Sequence, residues 1–217
     1  MYIDIKQTKS NMSIEFEMHL NRTAINFAKC SRINRNLPIE LYDTNKTLIY
    51  SLVSDIKYNA ISSIPFSYLL GLKKYKVFKI NNFANEILGE ITGYREGFLN
   101  SYHCITFNEI KLIIYSISKG TESYYSVYKN NNQIAMIVKN SRIKNNLDYY
   151  RVYSLDERTN LLNALKLYVL YIDNLYFSDR SEVVVGKKEV TYSYSYSKTN
   201  KYYDENWLMD NFNEKSG

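Results

Sequence analysis

The sequence predicts a mainly β protein in which a closed or nearly closed antiparallel sheet surrounds one hydrophobic helix. A period-two alternation of apolar and polar residues dominates the first 155 residues. The pattern separates into roughly ten to twelve short strands with short connections, which is typical of an antiparallel barrel. A single strongly apolar helix follows these strands. This order of elements, with the strands first and one apolar helix last, therefore indicates a barrel built around, or packed against, that helix.

The strands follow from the alternation, taken in chain order. In SIEFEMHL, Ile14, Phe16 and Met18 share one face and the charged residues take the other. Asparagine tolerates left-handed turn conformations, and Asn-rich turns separate several of the runs. Hairpins are predicted in IELYDTNKTLIYSLV, turning at Asp43, Thr44 and Asn45, and in SYYSVYKNNNQIAMIVK, turning at Asn130, Asn131 and Asn132. Further strands are predicted in AINFAKCSRI, in YKVFKI and EILGEITGY around Asn81 and Asn82, in YHCITF and KLIIYSIS around Asn108 and Glu109, and in LDYYRVYSL. Residues 55–72 fit either a short helix or a loop packed on the barrel.

The segment LLNALKLYVLYIDNLYF, residues 161–177, is apolar on nearly every helical face, so it must be buried in protein or in lipid. A membrane span needs ~20 mostly uncharged residues, whereas this shorter segment contains Lys166 and Asp173. We therefore predict a core helix, capped by Ser154 or Asp156. We expect Lys166 to reach water from the N-terminal half of the helix, and Asp173 to need a hydrogen-bonding partner or a place near the barrel mouth.

Length and composition indicate one domain with a tail. The chain has 217 residues and a net charge of +6, and its two cysteines, Cys30 and Cys104, form no C-x-x-C pair. The start, MYIDIKQTKS, lacks the apolar stretch of a signal peptide, so we expect a cytoplasmic protein with reduced thiols. Residues 178–217 carry a net charge of −1, which leaves +7 on residues 1–177. Such a basic body favours anionic partners.

No sequence motif indicates an enzyme. The chain lacks the phosphate-binding, dinucleotide-binding, nucleophile-elbow and zinc-protease motifs. DTNKT begins like a calcium loop but lacks its glycine and its closing glutamate. His103 shares a face with Ile105 and Phe107, which favours a satisfied core or rim histidine, and Cys104 points to the opposite face. We predict no catalytic residue, no metal ligand and no cofactor.

Two basic segments are the main candidates for binding. They comprise Lys73, Lys74, Lys76 and Lys79, and Lys139, Arg142 and Lys144. LLGLKKYKVFK sets leucines beside the first group, a combination suited to touching an anionic phospholipid surface. The alternative is that both segments are solvated loops and strand edges. Nucleic acid is less favoured, because no nucleic-acid-binding motif accompanies the lysines.

The tail, residues 178–217, differs from the body in composition. EVVVGKKEVTYSYSYS fits either a hairpin or a flexible low-complexity segment. DENWLMDNF fits a short helix that uses Trp207, Leu208 and Phe212 to dock onto the body, a protein partner or a membrane interface. A protein-interaction module acting through this tail is the second functional hypothesis.

Four segments in a fixed order carry a family resemblance: LYDTNKTLIYSL (41–52), NEILGEITGY (85–94), NNQIAMIVKNSRIKNNLDYYRV (131–152) and the closing helix with Ile172, Asp173 and Leu175. They resemble the tubby C-terminal-like superfamily, which includes the tubby proteins, the phospholipid scramblases and LURP-one-related plant and bacterial proteins. The resemblance covers roughly residues 12–177. It implies a barrel of about twelve strands over residues 1–177, threaded by a core helix at 157–177. It also suggests phosphoinositide or membrane-surface binding. The basic pair of the tubby lipid site, the scramblase calcium motif and the palmitoylated cysteines have no counterpart here, so fold carries over further than activity.

Overall fold

In a computed structural model, the structure describes residues 1–31, 34, 37–64, 71–96, 100–119, 122–140, 147–177 and 201–214. Within these ranges, twelve antiparallel strands close into one barrel, and a helix lies in its C-terminal region, which confirms the predicted fold class. The strands are β1 Tyr2–Ser10, β2 Ser13–Leu20, β3 Thr23–Ser31, β4 Ile39–Tyr42, β5 Leu48–Ser54, β6 Lys74–Asn82, β7 Ile87–Glu96, β8 Asn100–Phe107, β9 Ile110–Lys119, β10 Glu122–Lys129, β11 Asn132–Asn140 and β12 Tyr149–Ser154.

Strand β1 closes the barrel. Each strand pairs with the next along the chain, and β1 pairs with both β2 and β12. Ile3 faces Leu20 on one side and Val152 on the other. The sequence analysis did not assign this strand, although Ile3 and Ile5 alternate with polar residues and are fully buried. Its second partner lies about 150 residues away in the sequence, so only the closed sheet identifies its role.

The hairpin turns use left-handed residues, as the asparagine pattern predicts. Positive φ angles occur at Asn21, Arg22, Lys46, Asn85, Asn108, Glu109, Asn130 and Asn131. The β6–β7 turn lies later than predicted, at residues 83–86, because Asn82 is the last residue of its strand. The Asn82 side-chain oxygen accepts hydrogen bonds from the backbone N–H groups of Ala84 and Glu86, both at 2.9 Å, and so shapes the turn.

The ambiguous segment after β5 contains a short helix, α1, at Ile56–Ser62. Asp55 caps it by accepting a hydrogen bond from Tyr58 N at 3.1 Å. Asn59 joins α1 to the barrel: its Oδ1 accepts from Val77 N at 2.7 Å and its Nδ2 donates to Val77 O at 2.9 Å. Residues 65–70 lie outside the described part of the chain.

Helix α2, Thr159–Ile172, continues into a π-helical turn at Asp173–Phe177. Its apolar residues are buried among the inward-facing side chains of the strands, in one continuous core. The predicted caps are wrong. Arg158 occupies the N-cap position and makes no side-chain cap bond, while Asp156 binds the backbone N–H and guanidinium of Arg158. Among the described residues, no helix has the length and apolarity that a membrane crossing requires.

The two charged residues of this helical segment are both interior. Asp173 is fully buried and accepts a hydrogen bond from the Tyr150 hydroxyl at 2.8 Å, which confirms the expected partner. The expectation for Lys166 is wrong, because its side chain does not reach water. It is only 6% exposed, and its Nζ donates to Asn26 Oδ1 at 2.6 Å. Burial lowers the pKa of Lys166 to about 8.

The tail returns to the barrel. The predicted short helix is present as α3, Trp207–Phe212, and it packs on the outer wall of β10, β11 and β12. The hairpin predicted in EVVVGKKEVTYSYSYS falls within residues 178–200, which lie outside the described residues.

Candidate functional site

The two ends of the barrel are built differently. At the hairpin end, tight turns join β2 to β3, β4 to β5, β6 to β7, β8 to β9 and β10 to β11, and α2 begins after β12. At the exit end, the other strand connections meet and α2 leaves the barrel through the turn Asp173–Phe177. Both basic segments singled out by the sequence border the exit end, since β6 begins there and β11 ends there.

The connections at the two ends also differ in charge. Those at the hairpin end contain three Lys or Arg and five Asp or Glu, a net of −2, in residues 21–22, 43–47, 83–86, 108–109, 130–131 and 155–158. Among the described residues of the connections at the exit end, which are 11–12, 34, 37–38, 55–64, 71–73 and 147–148, Lys57 and Lys73 are balanced by Asp55 and Asp148. The exit end is therefore less acidic than the hairpin end and repels an anionic surface less.

The lysines at the start of β6 fall into separate environments. Lys73 is exposed. Lys74 and Lys79 both bind the Glu90 carboxylate, at 2.8 and 2.6 Å. Burial alone would raise the pKa of Glu90, but the hydrogen bonds from these two lysines outweigh it and hold that pKa at about 2. Glu90 thus offsets one of their two charges and fixes both side chains on the wall.

Lys76 lies at an irregularity of the sheet. The register of β6 against β7 shifts between Tyr75 and Phe78, and Lys76 has a left-handed φ of 49°. Its carbonyl accepts a hydrogen bond from the Tyr171 hydroxyl at 2.9 Å. Its ammonium group lies 4.1 Å from the centre of the Tyr176 ring, a cation–π distance. The bulge therefore ties the strand to the helix and its exit turn.

Lys139 lies on the inner face of β11 instead of the surface. It is 6% exposed and forms an ion pair with Asp148 at 2.6 Å. Its ammonium lies 4.2 Å from the centre of the Phe177 ring. Lys76 and Lys139 thus contact neighbouring aromatic residues of one turn, and the charge of Lys139 is compensated inside the protein. Arg142 and Lys144 lie outside the described residues.

His103 is held among tyrosines at the same end. Its Nδ1 lies 2.7 Å from the Tyr168 hydroxyl and its Nε2 lies 3.3 Å from the Tyr176 hydroxyl. Burial, assisted by the charge of Lys76, lowers the pKa of His103 to about 3. The ring is therefore neutral at physiological pH, as expected of a satisfied core histidine. Burial also raises the pKa of the Cys104 thiol, so the thiolate that a nucleophile requires is disfavoured.

Sequence reasoning missed three exposed isoleucines in α1 and just after it. Ile56, Ile61 and Ile64 are 53%, 53% and 55% exposed. Lys57, in the same helix, is exposed as well. The signal was present in DIKYNAISSI, but choosing between an exposed and a packed helix face needs the position of β6. Three exposed isoleucines and an exposed lysine therefore lie within nine residues of the chain at the exit end.

The tail residues predicted to bind a partner face the barrel. Trp207 and Leu208 are 7% and 3% exposed, and Phe212 packs against the same cluster. In the docked tail, these side chains are not presented to a partner or to a membrane.

Comparisons with known proteins gave no match among protein-family models, curated proteins or solved structures. The tubby-like resemblance stays a prediction from the sequence. In the part of the chain that the structure describes, no cluster of three or more His, Cys, Asp or Glu side chains is placed to hold a metal ion.

Proposed function

We propose that this protein is a non-enzymatic, tubby-like β-barrel that binds anionic phospholipid surfaces peripherally through its exit end. One observation carries the proposal: Ile56, Ile61 and Ile64 are exposed at the barrel end that also presents Lys57 and Lys73. The described connections at this end are also less acidic than those at the hairpin end, which supports the same orientation.

The two kinds of side chain act in complementary ways at a membrane surface. Each basic residue near an anionic surface contributes about 1 kcal/mol, and the attraction decays over a Debye length of about 8 Å at physiological salt. Isoleucines that enter the boundary between headgroups and acyl chains add a short-range apolar contribution, which salt does not screen. Charge therefore orients the barrel, and the isoleucines of α1 hold it once it is close.

The proposal divides the lysines singled out by the sequence. Lys73 is exposed and suited to contact lipid headgroups. Lys74 and Lys79 share Glu90 and contribute a reduced net charge. Lys139 is paired with Asp148 inside the protein and contacts the turn Asp173–Phe177 through the Phe177 ring, so we assign it a structural role. Lys57, which the sequence analysis did not select, joins Lys73 at the proposed surface.

The test is flotation of the purified protein with vesicles of neutral lipid or of neutral lipid mixed with phosphatidylserine, at low and at high salt. We expect binding to the anionic vesicles only, weakened at high salt. The double variant Lys57→Glu/Lys73→Glu should lose binding, because removing two cations costs about 2 kcal/mol, about thirtyfold, even before repulsion is added. The matched control is Arg22→Glu/Lys46→Glu, which makes the same charge change at exposed positions of the hairpin end.

Absence of binding in every condition would refute the proposal. Equal loss of binding in both double variants would show that net charge acts without an oriented exit end. A further pair separates the apolar contribution: Ile56→Ser/Ile61→Ser should leave weak binding that high salt abolishes. Phe83→Ser/Ile87→Ser, at exposed residues near the hairpin end, should bind like the wild type.

A further inference from the structure

The outer wall of the barrel carries an apolar stripe where solvent-facing strands usually carry polar residues. We call Tyr115, Tyr124, Met136, Val138 and Tyr153 the aromatic stripe. They lie on four consecutive strands, β9 to β12, and Tyr124 and Met136 are fully buried although they sit outside the barrel. The segment at residues 202–214 provides that burial.

The contacts between this segment and the stripe form an apolar centre. Trp207 and Leu208 enter the cluster with Tyr124, Met136 and Tyr153. Tyr202 stacks on Tyr115 with ring centres 3.8 Å apart and planes 8° apart. The remaining ring contacts are Tyr203 with Tyr124 at 5.1 Å and Phe212 with Tyr153 at 5.2 Å between centres.

Polar contacts surround this centre, with cations on the barrel and carboxylates on the tail. Lys119 pairs with Glu205 at 2.9 Å, and Arg151 lies 3.6 Å from the Glu214 carboxylate. The Tyr128 hydroxyl donates to the carbonyl of Tyr202 at 3.1 Å. A packed apolar centre with aromatic anchors and a charged rim is the anatomy of a protein–protein interface.

The docked segment contacts the barrel as a bound ligand would, and it is not part of the closed sheet. The strand ladder from β1 to β12 is closed without it. Residues 178–200 separate it from the end of the π-helical turn. Helix α3 has only six residues, and an isolated helix of that length is not stable in water. The wall therefore supplies the free energy that orders the segment.

We propose that the outer wall of β9 to β12 is a recognition surface for a short acidic, aromatic helix, and that a partner protein carrying such a segment binds there in place of the tail. The partner's segment resembles residues 202–214: paired aromatics followed by acidic residues, a Trp-Leu pair that opens the helix, a later aromatic and a closing carboxylate. In this proposal the barrel wall is the binding surface, and the tail is the segment that occupies it. The sequence predicted that Trp207, Leu208 and Phe212 bind a partner; here they cover the surface to which the partner binds. This surface is separate from the exit end, and the proposal does not depend on lipid binding.

A tethered tail competes with any such partner. Covalent attachment gives a docked segment an effective concentration on the order of mM, so a partner's segment binds the wild type with reduced apparent affinity. Weakening the tail of the full chain should make the site accessible.

The probe is a labelled synthetic peptide of residues 201–214, titrated by fluorescence anisotropy. We expect saturable binding to full-length Trp207→Ala/Leu208→Ala, and at least about tenfold weaker binding to the wild type, whose site is filled. Circular dichroism and a thermal melt verify that the barrel of the variant is folded.

Two changes in the wall make the test specific. Adding Met136→Ser to the tail variant should abolish peptide binding, because Met136 lies at the centre of the stripe. Adding Lys119→Glu instead should weaken binding about twofold to fivefold, the range of an exposed ion pair, and a Glu205→Lys peptide should restore it.

No saturable binding below about 1 mM would overturn the proposal, as would binding that neither Met136→Ser nor Lys119→Glu changes. A wild type that dimerises through its tail, with a monomeric Trp207→Ala/Leu208→Ala variant, would identify a second copy of this chain as the occupant and exclude the partner proposed here.

Discussion

The hairpin end and the exit end of this barrel differ in the lengths of the connections between their strands. At the hairpin end, strands are joined by connections of two to five residues, shaped by left-handed residues such as Asn108 and Asn130. At the exit end, three connections have two or three residues, but the others have seven, eight and 19 residues. That end also holds the exposed Lys57 and Lys73, the exposed isoleucines and the buried pair of Lys139 and Asp148.

Short and long connections have different structural roles within this one sheet. Tight turns fix strand register, because a slip of one residue would move every inward side chain outward. Longer connections are released from that constraint and carry residues that serve other purposes. In this barrel, every strand connection at the hairpin end is short, whereas the exit end also carries long connections and the exposed isoleucines, and α2 runs between the two ends.

The largest effect should come from the helix that both ends share. Leu165→Asp places an unpaired charge in the core and should lower the free energy of unfolding by at least about 4 kcal/mol, enough to unfold the protein. Urea denaturation followed by circular dichroism measures this. Phe83→Asp, at an exposed turn residue of the hairpin end, is the control and should change stability by no more than about 0.5 kcal/mol. A Leu165→Asp protein that still unfolds cooperatively at the wild-type midpoint would contradict the buried position of α2.

A smaller loss should follow from breaking the buried ion pair at the exit end. Lys139→Met leaves the Asp148 carboxylate buried without its counter-ion and should cost about 3–5 kcal/mol. Lys73→Met, an exposed lysine at the same end, should be close to neutral. The double variant Lys139→Met/Asp148→Leu should recover most of the loss in a thermal melt. If it melts as low as the single variant, the ion pair does not explain the effect.

A gain in stability should come from the other buried lysine, which lies nearer the hairpin end. Lys166 is hydrogen-bonded to the neutral Asn26, and its pKa falls to about 8. The unfolded chain, with a lysine pKa of about 10.4, binds more protons between these values, so stability should rise as the pH increases through 8. At pH 7 the buried charge costs about 3 kcal/mol, which Lys166→Met should restore.

The pH test is run between pH 7 and 9.5, because deprotonation of tyrosines in the unfolded chain near pH 10 opposes the trend. The wild type should gain stability across this range, and Lys166→Met should lose that dependence. Lys57→Met, which replaces an exposed lysine, should keep the pH dependence of the wild type. A rise in stability with pH that survives in Lys166→Met would exclude this lysine as its source, because the buried Cys104 thiol, whose pKa is raised, can only lower stability over this range.

The smallest effect should come from a single turn at the hairpin end. Asn131 has a φ of 65°. In this left-handed conformation the Cβ atom of most residues comes too close to a carbonyl oxygen, which costs about 1 kcal/mol, whereas asparagine and glycine adopt it routinely. Asn131→Ala should lower the free energy of unfolding by that amount, which appears as a lower urea midpoint, and Asn131→Gly should match or exceed the wild type. Equal midpoints for Ala and Gly would show that this turn does not depend on its left-handed geometry.

Local patterns predicted much of this fold. Alternation located eleven of the strands, the asparagine turns placed the hairpins, and the all-round apolarity of residues 161–177 identified the core helix. These predictions succeed because they depend on the period of the backbone and on residues only a few positions apart. The alternation also placed Lys139 in step with Ala135 and Ile137, so its inward orientation was available from the sequence.

Other features depend on contacts between distant parts of the chain. The closing role of β1 requires β12, the burial of Lys166 requires Asn26, and the burial of Trp207 requires an apolar stripe on β10 to β12. The exposure of the α1 isoleucines likewise depends on how Asn59 fixes the helix to Val77. The sequence by itself determined which segments become strands, turns and core helix. The tertiary structure alone decided which partners the buried charges have and which apolar residues are exposed, because both depend on neighbours that no local pattern contains.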